Sequence, residues 1–341
     1  MSPSKFLISF FSAFVVLMTL IATINIVINP FDIFNIGRFD KINKIKPYIS
    51  DRVRTTKLYQ PFFNNINTLI IGNSRVEMGL NPQDFPKDIF ANTYNLGLPG
   101  VGIVKQLQYA DRVLAENDVQ YIFLSLDFVD FLHRNPPAGR ATTHAELKVN
   151  EITDKLAAIF SLDALIASLN TTLQQDKQYS NRMSNGFNPA LDFLPVLKYE
   201  GEQVLFQQKI DALYKQIRQR TWYGEFQHLN PNSDYHVLQR FIEKHEKAQI
   251  FVFINGYHRD YYQVIDNLAL TNAFEDWRQL LKNNIAENCH FYDFTELAKE
   301  LSNVLDDNNN HQYFWEPAHY KQNFGKLMID KMLEEHYAYN K

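Results

Sequence analysis

The chain has 341 residues, 45% of them apolar and 21% charged, with a formal net charge of −4. That length exceeds what one small core needs, so one large domain or a domain with an insertion is expected, and the charge balance gives no basis for nucleic-acid binding. The one cysteine, Cys289, excludes an internal disulfide and a multi-thiolate metal site.

The first element in chain order is "FLISFFSAFVVLMTLIATINIVINPF", which carries no charge from Phe6 to Phe31. The run exceeds the roughly 20 residues a membrane helix needs. It is also longer than the apolar core of a signal peptide, about 7–15 residues, and no A-x-A pattern closes it. Residues 6–28 are therefore expected to be an uncleaved transmembrane anchor within an N-terminal segment 1–31, with Pro30 ending the helix. A cleaved signal peptide is the alternative. Lys5 precedes the run, whereas Arg38, Lys41, Lys44 and Lys46 come after it, a bias that favours a cytoplasmic C-terminal side.

Residues 32–66 read as a polar connector that packs loosely or sits near the membrane surface. From residue 67 to 341, short apolar runs alternate with helical patterns, which indicates an α/β domain with a parallel sheet. The expected strands are 67–72, 92–96, 120–126, 249–254 and 289–293. Several are nearly continuous apolar runs, as strands buried on both faces should be. Helical spacing marks 101–116, 272–287 and 319–338. The gap from about 130 to 247 offers no core strand and reads as a helical insertion, or cap, between the third and fourth strands. Its helices are expected near 147–170, 199–220 and 233–246, with a surface loop over 181–195.

The first strand, "NTLIIG", stops at Gly72 and is followed by Asn73, Ser74 and Arg75. Ser74 or Asn73 can cap the next helix. Alternatively, Ser74 is a nucleophile at the carboxyl end of a parallel strand, where open α/β sheets place their ligands. The second glycine of a G-x-S-x-G elbow is absent. A nucleophilic serine needs a base, and the base an orienting group. Glu316 and His319 in "FWEPAHY" have the spacing that brings a carboxylate to one ring nitrogen while the other faces outward; packing or capping of the last helix is the other use of His319. Asp306, Asp307, His311, Glu316 and His319 form an acidic, His-containing stretch, but its spacing matches no specific zinc or calcium pattern. Gly97 and Gly100 in "YNLGLPG" either bring a backbone N–H to a ligand or make a turn. Asp127 ends the third strand as a cap or a site residue. His258 and Arg259 come after the fourth strand, as substrate contacts or solvated loop residues.

Taken together, strand-Gly-x-Ser, Asn-x-Gly after the second strand, a polar residue after the third, and acid-x-x-His before the last helix resemble the SGNH (GDSL-like) hydrolase superfamily. The resemblance covers roughly 65–130 and 248–340. "IIGNSRVEMGLNP" is most similar to the superfamily's membrane-anchored envelope branch, laid out like the alginate O-acetylation and teichoic-acid D-alanyl transfer proteins. The resemblance implies a flavodoxin-like three-layer sandwich with Ser74 as nucleophile, His319 as general base and Glu316, in place of the more usual Asp, as its orienting group. It implies an oxyanion hole drawing on the Ser74 and Gly97 N–H groups. Where the family commonly has Gly-x-Asn after the third strand, this chain has Ser125-Leu126-Asp127, and an ionised Asp cannot donate. Asp127 is then expected to bind Arg75 or a substrate hydroxyl. The implied activity is a serine acyltransferase or esterase, working without a cofactor or metal on acyl groups, acetyl first among them, of an envelope glycan or polysaccharide. The domain would face the periplasm or exterior, with a membrane O-acyltransferase as partner. Two other readings stand beside it: a catalytically weak binding or assembly module of an envelope polysaccharide system, and a metal-dependent phosphoesterase.

Overall fold

An apolar run buried on both faces belongs between other strands, and the five apolar runs expected as strands do form one sheet. The computed structural model describes residues 2–63, 65–135, 147, 149–176, 182–284 and 289–339, the last five without their side chains. Residues 136–146 and 177–181 of the expected insertion, and the last turn of the expected helix 272–287, lie outside the described residues.

In chain order the elements begin with α1 (Pro3–Ile28), α2 (Val53–Tyr59), β1 (Thr68–Gly72), α3 (Ser74–Gly79), β2 (Thr93–Gly97), α4 (Ile103–Glu116) and β3 (Tyr121–Leu126). The long crossover comes next, with α5 (Glu151–Phe160), α6 (Leu162–Leu173), α7 (Phe193–Tyr199), α8 (Glu202–Ile217), α9 (Gly224–Leu229) and α10 (Asp234–Lys244). The chain continues through β4 (Gln249–Ile254), α11 (Arg259–Asn267), α12 (Thr271–Asn284), β5 (Cys289–Asp293) and α13 (Thr295–Leu301), and ends with β6 (Phe314–Glu316), β7 (His319–Tyr320) and α14 (Gln322–Tyr339).

Strands β1–β5 are all parallel, in the order β2-β1-β3-β4-β5. The order reverses between β1 and β3: the chain leaves β1 toward one edge and β3 toward the other. Such a switch point opens a crevice at the carboxyl ends of the strands. Gly72 pairs with Gly97 and Leu126 with Ile254 at those ends. Leu69 to Ile71, Ile122 to Leu124 and Ile250 to Ile254 are fully buried. On one face, Phe85, Phe90, Phe123 and Phe251 pack with Phe324, Met328, Ile329 and Met332 of α14; the Phe123 and Phe251 rings stack at 4.5 Å.

The expected helix 319–338 starts only at Gln322, because residues 314–320 form an antiparallel hairpin, β6–β7. A three-residue and a two-residue strand are too short to leave a periodic trace.

The chain divides into two compact units, residues 1–63 with 148–184, and residues 64–147 with 185–341. The second holds the sheet. In the first, α1 is the one helix among the described residues that is long and apolar enough by itself to cross a membrane. It ends where Asn29 turns left-handed at φ 50°. The connector is closely packed here rather than loose. Lys46 is fully buried and donates to the carbonyls of Ile28 (3.1 Å) and Asn29 (2.8 Å), capping α1 with a cation at its negative end. Burial pushes the Lys46 pKa down to about 8 against the pull of Asp32. The helix expected near 147–170 is two helices, broken where Ser161 accepts from Ala164 N–H and caps α6.

Candidate active site

Gly72 lets α3 close onto the sheet: a Cβ there would stand 2.7 Å from Val76 Cγ2 and 2.9 Å from Ser125 Cβ. The cap of α3 is Asn73, whose Oδ1 accepts from Arg75 N–H at 3.0 Å. Capping by Asn73 leaves the Ser74 hydroxyl free for another partner. That partner is His319, whose Nε2 lies 2.7 Å from Ser74 Oγ.

The β6–β7 hairpin explains the acid-x-x-His spacing, since Glu316 and His319 are cross-strand neighbours. Glu316 is 1% exposed; its Oε1 meets His319 Nδ1, and its Oε2 accepts from Ala318 N–H at 3.0 Å. A carboxylate can only accept, so the network assigns the His319 proton to Nδ1 and makes Nε2 the acceptor of the serine proton. Burial acts to raise the Glu316 pKa, but the charge and hydrogen bond of His319, the Ala318 N–H and the charge of Lys209 outweigh it and hold it below its ordinary value.

Ser74 and His319 open into a cavity of about 350 Å³ at the carboxyl edge of the sheet. Backbone from Gly100 to Gly102 forms part of its wall, and α8 with the turn after it supplies Lys209, Leu213, Gln216 and Arg220. Asp130 also lines the cavity and accepts from Gln106 Nε2 at 2.9 Å. Burial, then the neighbouring Asp127, pushes the Asp130 pKa up to about 7. Arg220 Nη1 donates to Val129 O at 3.2 Å, and burial lowers the Arg220 pKa. The sequence reading did not single out Lys209, Gln216, Arg220 or Asp130. Only Asp130 had a local signal, the Asp-x-x-Asp that begins where β3 ends.

Asp127 has become a buried acceptor. Its Oδ2 receives Asn73 Nδ2, Arg75 Nη1 at 3.1 Å and Asn255 Nδ2 at 3.3 Å. Asn255 also donates to Ser125 Oγ at 2.6 Å and accepts from Tyr320 O–H at 3.0 Å. The cluster ties the carboxyl ends of β1, β3 and β4 together. Of the two roles expected of Asp127, the structure places it in the first, binding Arg75. The Arg75 guanidinium lies 4.9 Å from the centre of the Tyr257 ring. Burial opposes its charge, but Asp127 together with Tyr261, Asp130 and Glu316 outweighs burial and raises its pKa. Arg75 still lines the cavity.

Two expected contacts lie elsewhere. The Gly97 N–H does not point into the cavity as an oxyanion donor; it donates to Asn95 Oδ1 at 2.8 Å. Gly97 instead admits α3, since a Cβ would stand 2.6 Å from Glu77 N. His258 is buried away from the cavity. Its Nδ1 caps α11 by accepting from Asp260 N–H at 3.2 Å, which leaves Nε2 to donate to Ser302 O at 3.0 Å. The acidic stretch disperses as well: Asp306 closes a turn onto the N–H groups of Asn308 and Asn310, and His311 pairs with Glu202 at 2.9 Å.

This arrangement can activate a hydroxyl. His319 Nε2 is placed to accept a proton from Ser74 Oγ, and Glu316 is placed to stabilise an imidazolium at His319. Ser74 is the first residue of α3, so its N–H has no partner within the helix. No protein-family model and no curated protein matches the chain.

Proposed function

We propose that the protein is a membrane-anchored serine acyltransferase or esterase with a Ser74–His319–Glu316 triad. The observation that carries this is the 2.7 Å contact of Ser74 Oγ with His319 Nε2, backed by buried Glu316 and open to a cavity. Ser74 Oγ attacks an acyl carbonyl while its proton passes to His319. The carbonyl oxygen takes the negative charge, with the Ser74 N–H as donor. The tetrahedral species collapses, His319 protonates the leaving oxygen, and an acyl-serine remains. A second hydroxyl or a water, deprotonated by His319, then releases the acyl group and restores the serine.

The resemblance to SGNH hydrolases supports the finer reading. The strand order β2-β1-β3-β4-β5 supports a flavodoxin-like sandwich, and in this reading α8, which lines the cavity, belongs to a cap over the site. The substrate class is an envelope glycan or polysaccharide, acylated or deacylated outside the cytoplasmic membrane, with a membrane O-acyltransferase supplying the acyl group in the transfer case. The Lys/Arg bias after α1 pulls against that orientation, and cysteine labelling of intact cells from outside tests it directly.

A second reading, a binding or assembly module, is favoured by one observation: the Gly97 N–H and the Asn73 amide are both engaged inside the protein, leaving fewer oxyanion donors. Losing one donor costs about 10²–10³ in turnover in a comparable hydrolase. The deciding experiment treats the full chain in detergent with a fluorophosphonate and maps the adduct by mass spectrometry. Labelling at Ser74 that disappears in Ser74→Ala and His319→Ala supports the enzyme. An unlabelled, folded protein favours the module.

A further inference from the structure

Helices α5 and α6 carry large apolar side chains on the wrong side for a protein in water. Ile152, Leu156 and Phe160 of α5 recur every four residues, and Leu162, Ile166, Leu169 and Leu173 of α6 recur at four, three and four. All seven are exposed, Leu173 to 79% and Leu162 to 70%. The opposite face of α6 buries Ala164, Ala167, Ser168 and Thr171. Small residues inside and large ones outside invert the pattern of a soluble helix, and an exposed apolar stripe of this extent marks an interaction surface.

The stripe belongs to the same compact unit as α1, and both helices pack on α1. They meet it at a polar node. Fully buried Asn25 of α1 donates to Ile159 O at 2.9 Å, next to the break between α5 and α6, and accepts from Ser168 Oγ at 2.9 Å. The node satisfies a carbonyl that the break would otherwise leave open, as backbone beside lipid requires.

We infer that the apolar face of α5 and α6 lies in the acyl–headgroup boundary of the bilayer that α1 spans, so that the anchor is a three-helix device. The inference rests on reading α1 as the membrane anchor. Its depth is set by position: about 20 residues cross the hydrocarbon, and counting from Phe6 places Asn25 at its far edge. Each of the two helices is too short to cross alone, and they bend by 59° at the break. Asp163, exposed in the first turn of α6 and 3.9 Å from Arg52, would lie in mid-bilayer if the pair were one broken span. At the interface both charges reach the headgroups while the apolar stripe enters the acyl chains.

The test uses the full chain in phosphatidylcholine–phosphatidylglycerol vesicles. A Cys289→Ser background carries one environment-sensitive label at Ile166→Cys, Leu169→Cys or Leu173→Cys. Val16→Cys in α1 and Gln207→Cys on α8 serve as lipid and water references. The expected result is a blue-shifted label on α6, quenched most by lipid spin labels near the headgroup, least by aqueous iodide, while Val16 is quenched most by deep spin labels. Iodide quenching equal to that at Gln207 overturns the inference. So does quenching deepest where Val16 is deepest, which describes a broken span, and so does protection from every quencher, which describes a face covered by protein. A Val16 label untouched by lipid quenchers defeats the anchor reading itself, a result distinct from failure at α6 alone.

Discussion

The sheet unit hides Ile70, Phe123 and Phe251, whereas the helices of the N-terminal unit hide Asn25, Ala164, Ser168 and Thr171 and expose Ile152, Leu162, Ile166 and Leu173. Each buries an asparagine that is hydrogen-bonded on both sides of its amide, Asn255 in the sheet unit and Asn25 in the N-terminal unit. The difference is in which side chains face outward, and that reflects the medium each surface is built for. Water drives large apolar groups inward. Lipid provides no such drive, so small residues take the helix contacts and large ones stay outside. The polar clusters differ accordingly: in the sheet unit Asp127, Arg75 and Asn255 organise a cavity wall, whereas Asn25 in the N-terminal unit holds helices together.

The largest expected effects lie in the sheet unit and leave the N-terminal unit untouched. Ser74→Ala or His319→Ala should cost about 10⁶-fold in turnover, and Glu316→Gln about 10⁴-fold by unsettling the His319 proton. Steady-state turnover of an activated acyl ester would measure each loss, and vesicle flotation would confirm unchanged membrane association. A Ser74→Ala protein as active as the parent would end the triad reading.

Next in size is the buried acceptor. Asp127→Leu leaves the Arg75 charge without its partner, a change of the kind that costs about 3–5 kcal/mol. Trp222, Trp277 and Trp315 all belong to the sheet unit, so their fluorescence in a denaturant titration reads that unit alone. A midpoint unchanged in Asp127→Leu would mean that Arg75 finds other partners.

A pair of changes in α6 sharpens the contrast between the two units. Ala164→Leu forces a large side chain into the small-residue face and should destabilise the N-terminal unit by about 1–3 kcal/mol. Ile166→Ala removes an exposed group and should stay within about 0.5 kcal/mol in detergent. Pulse proteolysis with cleavage mapped to residues 1–63 and 149–176 would rank them. The reverse order would mean that the faces of α6 are misassigned.

The sequence made the five parallel strands readable to within about a residue; β1, β3 and β4 are nearly continuous apolar runs, as strands buried on both faces should be, whereas the edge strands β2 and β5 are mixed. Ser74 and His319 were readable for chemical reasons: a strand that ends in glycine exposes the residues at its tip, and a carboxylate three residues from a histidine can reach it. The hairpin that delivers Glu316 to His319 was not, since two-residue strands have no period. Gly97 and His258 were misjudged because a backbone N–H or an imidazole finds its partner in three dimensions, here Asn95 and Ser302. Lys209 and Arg220 were hidden because helical spacing fixes a buried face but not the cavity wall beside it. The break at Ser161 leaves no mark in the spacing of 147–170, because a serine is also an ordinary polar position of a helix.

The last expected effect concerns Asp130 and has a definite sign. Its ordinary carboxyl value is 3.8, and in the folded protein it is pushed up to about 7 by burial and then by Asp127. Between those values the unfolded chain has lost the proton while the folded chain keeps it, so stability falls as pH rises from about 4 to about 7 and levels off above. Glu316 works in the opposite direction. Its folded pKa lies below the ordinary 4.5, so its contribution is present above that value and lost as pH falls beneath it. The sheet unit should therefore be most stable in mildly acid solution, and Asp130→Asn should flatten the decline toward neutrality without touching the acid limb. Denaturant midpoints read by tryptophan fluorescence from about pH 2 to about pH 8 would separate the two limbs. An undiminished decline in Asp130→Asn would assign the slope to another group of the same unit.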